Sequence, residues 1–176
     1  MKKVMLLTIF AALMMISSAA VAQTATGTLT VTATVNGSIQ LVFNSDASGV
    51  ALSSGAGTNN ATLAFGNVSA FGAIAAGIVR TTTATNFTVS SAVDVLVSKT
   101  NSASANYTLK AQLGAADAVN SWSVGGVATT SAAQSTLTAT GTYGSNTNFP
   151  VAITIPFTTA SGTLISNTIN YTATAN

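Results

Sequence analysis

The strongest constraint on this chain is a rhythm of two. In "GTLTVTATVNGS", residues 27–38, Leu29, Val31, Ala33 and Val35 alternate with Thr28, Thr30, Thr32 and Thr34. Successive side chains of a strand point to opposite faces, so this run predicts a strand with one apolar and one hydroxyl face. It ends in Asn36-Gly37, a turn signal. The rhythm recurs along the chain. Ile39, Leu41 and Phe43 share a phase, as do Phe87, Val89, Val93, Val95 and Val97. So do Tyr107, Leu109, Ala111 and Leu113, then Leu137 with Ala139. Phe149, Val151, Ile153, Ile155 and Phe157 form the strongest apolar face, and Ile165, Ile169, Tyr171 and Ala173 close the chain.

Gly, Ser, Asn and Asp clusters such as "NSDASG" and "SSGAGTNN" separate these runs. The nearest thing to a helix, "SAFGAIAAGIV", carries Gly72 and Gly77 and is a poor helix former. The pattern predicts seven to nine strands in an antiparallel sandwich or barrel. Pro150 and Pro156 fall on the polar phase of their run. Proline donates no ladder bond, so this strand is expected to be an edge or to have unpaired ends.

Residues 1–22 read as a secretory signal peptide. Lys2 and Lys3 precede an apolar run from Val4 to Ile16, and Ala20-Val21-Ala22 is a small-x-small cleavage site. The run is shorter than the ~20 residues of a spanning helix. The formal charge of +2 comes from Lys2 and Lys3 alone, because Arg80, Lys99 and Lys110 balance Asp46, Asp94 and Asp117. The exported chain is therefore neutral, with no basic patch for nucleic acid. The domains expected are the signal peptide, 1–22, an N-terminal segment, 23–36, and one β-domain, 37–176.

The chain has no His, Cys or Glu. That removes the Ser-His-Asp arrangement, the thiol nucleophile and the imidazole metal ligand. Three isolated Asp do not make a paired-carboxylate glycosidase site. "NSDASG" reads as a turn rather than a calcium loop, and Gly55-Ala56-Gly57 lacks the Lys of a phosphate loop. No enzyme activity, metal or cofactor is expected. Trp122, before Gly125-Gly126, reads as a core plug in preference to a sugar-stacking platform. The Thr ladder suits a solvated strand face, and an ice-binding surface is the sharper alternative.

Thr28–Val35 has two fates open to it. It can turn back through Asn36-Gly37 and pair with Ser38–Phe43, or it can complete the sheet of another molecule by β-augmentation. Eight residues span roughly 26 Å at ~3.3 Å each. Burying Leu29, Val31 and Val35 contributes ~5–8 kcal/mol before the cost of ordering the segment. The pattern alone does not choose between the fates.

A resemblance does choose. "GTLTVTATVNGSIQLVF" resembles the mature start of the Cys-free chaperone–usher pilins, the colonisation-factor (alpha-fimbrial) major subunits. "ATLAFGNVS" is similar to a segment of the related spore coat protein U and secreted pilin group, and "SGTLISNTINYTATAN" resembles pilin C-termini. The spore coat group carries Cys near its second strand, where this chain has Ser38 and Ile39, so the likeness points to the Cys-free pilins, or to a divergent family that shares only the architecture. The family implies an immunoglobulin-like antiparallel β-sandwich, incomplete and completed by a donated strand. It implies a homopolymeric fimbrium on the cell surface, reached by Sec export with a periplasmic chaperone and an outer-membrane usher. Carried onto this sequence, the donor residues are Leu29, Val31, Ala33 and Val35, and the acceptor groove is lined by Ile165, Ile169 and Tyr171. A host or surface receptor is left open. The competing expectation is a self-complete surface β-sandwich that binds matrix or carbohydrate.

Overall fold

A computed structural model describes residues 26–176 of the chain. The predicted signal peptide, 1–22, and the first residues of the predicted donor segment, 23–25, lie outside the described residues. The chain divides into a leading unit that ends at Thr34 and a second unit, Val35–Asn176.

The fold is all-β, as the alternation predicts, and no helix occurs among the described residues. The strands are β1 (Ser38–Ser45), β2 (Val79–Thr82), β3 (Asn86–Ser91), β4 (Val93–Thr100), β5 (Tyr107–Leu113), β6 (Ser121–Val124), β7 (Val127–Thr129), β8 (Ser135–Gly141), β9 (Asn146–Asn148), β10 (Val151–Pro156) and β11 (Ile169–Ala175). All their ladders are antiparallel.

Three sheets result, in the orders β1-β4-β9, β2-β3-β10-β6-β7 and β11-β5-β8. The first two are joined by continuous chain at two places. β3 runs into β4 through Ala92, and β9 runs into β10 through Phe149-Pro150. The second and third meet where β7 packs on β8, and there the Ser135 hydroxyl donates to the Ala128 carbonyl at 2.8 Å. Followed strand to strand, the circuit is interrupted between β1 and β11, which are both edge strands.

Most of the apolar phases read from the sequence become the core, but Phe157, expected to extend the core face of its strand, lies beyond its end and is 40% exposed. One cluster holds Val93, Val95, Val97, Tyr107, Leu109, Ala111, Val124, Phe149 and Val151, with Leu41, Phe43, Tyr171 and Ala173 packed against it. The other holds Ile78, Phe87, Val89, Leu113, Trp122, Ile153 and Ile155. Ile169 touches both. Each large side chain so buried stabilises the fold by ~1.5–3 kcal/mol. Trp122 is the core plug expected of it, 8% exposed.

Three features differ from the sequence reading. First, the strand predicted over Thr28–Val35 is not formed among the described residues. Residues 26–37 join no ladder, and Leu29, Val31 and Val35 are 88%, 80% and 73% exposed. A strand is held by a neighbour's hydrogen bonds, and among the described residues this run has none: β1 pairs with β4 on one side, Ser38↔Thr100 to Ser45↔Val93, and its other side takes no bond from residues 26–37. The hairpin through Asn36-Gly37 is absent. Second, β10 is interior, between β3 and β6, so of the two readings of its prolines only the one about strand ends applies. Pro150 sits at the bend before the strand and Pro156 is its last residue, where a missing donor removes no interior ladder bond. Third, β6 and β7 form a hairpin that the alternation does not reveal, being too short. Its signal is Gly125-Gly126, whose φ values of 57° and 78° suit a two-residue turn.

Candidate strand-acceptor site

The site begins with the backbone. In an antiparallel ladder a residue's N–H and C=O point the same way, and the direction alternates along the strand. Phe43 turns both groups away from β4. Its N–H donates to the Thr58 carbonyl at 2.8 Å, and its carbonyl accepts from the Gly57 N–H at 2.7 Å. By the same alternation Ile39 and Leu41 also face outward, and among the described residues no backbone bond reaches them.

β11 repeats this arrangement. The Thr168 carbonyl accepts from the Gly114 N–H at 2.7 Å, and the Asn176 N–H donates to the Asn106 carbonyl at 3.1 Å. Even-numbered residues therefore face β5. Ile169, Tyr171, Ala173 and Ala175 face outward, and among the described residues they have no backbone partner on that side. Such an exposed row of donors and acceptors is a template for another strand.

The two open edges meet at one point. The rings of Phe43 and Tyr171 touch edge to face, with centroids 5.0 Å apart. Leu41 and Phe43 on one edge, and Ile169, Tyr171 and Ala173 on the other, are only partly buried although they pack on the core. Burial pushes the Tyr171 phenol above its ordinary value, so it stays neutral. The edges are apolar and uncharged, which suits an apolar strand.

Of the predicted acceptor residues, Ile169 and Tyr171 stand together on the outward phase of β11. Ile165 does not. It precedes the strand and packs on the cluster around Trp122. Sequence reasoning missed the contribution of β1. Ile39, Leu41 and Phe43 carried a clear alternation, but nothing local says which edge of a strand lacks a neighbour. The predicted donors Leu29, Val31, Ala33 and Val35 are all exposed.

Two polar clusters away from these edges are committed to structure. Asp46, Asp94, Asn146 and Asn148 form a cross-strand rung at the end of β4, with Asn148 Nδ2 donating to Asp46 Oδ2 at 2.9 Å. Among the described residues no group of three or more acidic, His or Cys side chains converges. Clefts of about 310 and 270 Å³ flank Asp117 and Asn120. The Asp117 carboxylate accepts from the Trp122 indole N–H at 2.8 Å, the Asn120 N–H at 2.9 Å and the Val119 N–H at 3.0 Å.

Desolvation acts to raise the Asp117 pKa, but these donors together outweigh it and lower the value from 3.8 to about 2. A depressed folded value means stability that is present above the unfolded value and is lost as pH falls through the folded one. Asp117→Asn is therefore expected to reduce the loss of melting temperature between pH 5 and pH 2, at a cost of about 1 kcal/mol at pH 7. Thermal unfolding at the two pH values checks this. An unchanged pH dependence would remove Asp117 from the account.

No protein-family model, curated protein or solved structure matches this chain.

Proposed function

We propose that this chain is an exported structural subunit of a pilus or similar surface fibre, polymerising when residues 28–35 of one copy complete the sheet of the next. The observation that carries the reading is a pairing of opposites. One chain holds two apolar edge strands open on adjacent sides, together with an alternating apolar segment that makes no ladder and is exposed.

Direction follows from the topology. β1 begins opposite Thr100 and β11 ends opposite Tyr107, the two residues that flank the loop 101–106, with β1 antiparallel to β4 and β11 antiparallel to β5. β1 and β11 thus run in opposite senses, and a strand entering between them is parallel to one and antiparallel to the other. Antiparallel pairing is slightly the more stable per residue, and β11 offers the longer free edge because Gly57 and Thr58 already occupy Phe43. The donor then lies antiparallel to β11, with Leu29, Val31 and Val35 turned into the apolar gap. The resemblance to Cys-free pilins supports the same reading and adds an immunoglobulin-like ancestry, a periplasmic chaperone and an outer-membrane usher as partners.

Deleting residues 23–35 is expected to leave the β-domain folded and to abolish polymer formation, measured by size exclusion and electron microscopy. A peptide of residues 26–37 added to the shortened chain should bind one to one and raise its melting temperature. Fibres formed as before by the shortened chain would end this reading.

A further inference from the structure

We infer that the aromatic pair Phe71 and Phe157 is a second contact between copies of this chain, against which the body of the strand-donating copy rests. The inference rests on the strand-donation reading and adds to it a surface, an occupant and an orientation.

The surface is built, not incidental. Phe71 is 73% exposed and Phe157 40% exposed, with ring centroids 6.0 Å apart. Phe157 stacks in turn on the buried Phe87 at 6.3 Å. The loop that carries Phe71 is held from several directions. The Arg80 guanidinium donates to the Ser69 and Gly72 carbonyls, each at 2.8 Å. The Thr82 hydroxyl donates to the Ala70 carbonyl at 3.1 Å, and the Ser69 hydroxyl to the Phe71 carbonyl at 2.7 Å. Solvent-facing aromatic rings usually cost entropy to immobilise on binding. Here the loop backbone is already held by the fold, which lowers the ordering cost of presenting Phe71 at an interface.

The occupant follows from the linker. Val35 is the last apolar residue of the donor run and Ser38 the first residue of β1, so only Asn36-Gly37 separates strand from body. Three Cα steps span at most about 11 Å. A donated strand therefore cannot hang its own body at a distance, and the two bodies must abut. The position follows from the direction. A donor antiparallel to β11 leaves the groove at its Ile169 end. Ile169 packs on the cluster that contains Phe87, with Val68 and Ala70 beside it. Phe71 and Phe157 adjoin this cluster through Phe87.

The apposed surface on the incoming copy is the opposite end. Gly37 lies against Asn101, since a Cβ on Gly37 would come within 2.7 Å of the Asn101 carbonyl oxygen. Asn101 follows Thr100, the far end of the bent β3–β4 run whose other end carries Phe87. Charge fits a second copy. The Arg80 side chain is spent on carbonyls, and among the described residues Arg80, Lys99 and Lys110 balance Asp46, Asp94 and Asp117, so no net charge favours a charged partner over a second copy.

The chain has no Cys, so introduced thiols report contacts cleanly. Phe71→Cys and Ala103→Cys chains, made separately and mixed during assembly, are expected to cross-link to each other with a short bis-maleimide in assembled material. They should not do so when residues 23–35 are deleted from both. Phe71→Ser should leave monomer melting unchanged and speed dissociation of assembled copies at least tenfold. Assembled chains that give no such cross-link, or that dissociate from Phe71→Ser material at the original rate, overturn this inference and leave strand donation standing. Cross-linking that persists without residues 23–35 contradicts strand donation itself. Failure of the unmodified chain to assemble overturns both.

Discussion

Gly141→Val is expected to unfold the β-domain or to lower its melting temperature by about 6–12 °C, the equivalent of roughly 3 kcal/mol for a domain of this size. Gly141 stands opposite Tyr107 in the β5–β8 ladder, and a Cβ placed there would lie 2.3 Å from the ring carbon Cζ of Tyr107. The ring cannot swing away. Tyr107 is fully buried, and on its other side it meets the Tyr143 ring at 5.2 Å. Tyr143 is fixed in turn by its hydroxyl, which donates to the Asn106 carbonyl at 3.1 Å. The register of the ladder and the ring thus depend on the missing side chain. Gly27→Ala is the control, because nothing lies within 4 Å of a Cβ there, and it should leave melting unchanged. The mechanism itself is checked by a double-mutant cycle. Tyr107→Leu should recover part of the loss caused by Gly141→Val, and additive losses would show that the ring is not the obstacle.

The second large effect separates the two faces of β11. Ala173→Pro is expected to slow polymerisation at least about tenfold while costing the monomer only ~1 kcal/mol. The Ala173 N–H faces outward and bonds no backbone group among the described residues, so its loss is felt when another strand arrives. Thr172→Pro is the matched opposite. Thr172 pairs with Lys110 of β5, and proline there removes a ladder bond the monomer uses. It should destabilise the monomer by at least ~3 kcal/mol. Thermal unfolding and light scattering read the two outcomes. Ala173→Pro chains that assemble at the original rate would show that no strand enters against β11.

Both experiments ask about properties that the amino-acid order reveals unequally. The Tyr107, Leu109, Ala111, Leu113 phase was legible because side-chain direction in a strand is set by local covalent geometry. All of these residues are buried. The Gly141 contact was not legible, since it joins β5 to a strand far along the chain.

The same division runs through the molecule. By itself the sequence determined that the chain is all-β and which faces of its long strands form the core. It also determined that the surface carries few charges, because composition and period two are local properties. Only the tertiary structure decided that the strand containing Pro156 is interior, that Ile165 belongs to the Trp122 cluster and not to the last strand, and that β1 and β11 are edge strands whose aromatic rings meet. Pairing depends on which distant segments find each other, and a strand's two hydrogen-bonding sides look alike in sequence until the neighbours are known. Leu29, Val31 and Val35 show the limit: their alternation was plain, yet what they lack is a partner, and a partner is not written in the run itself.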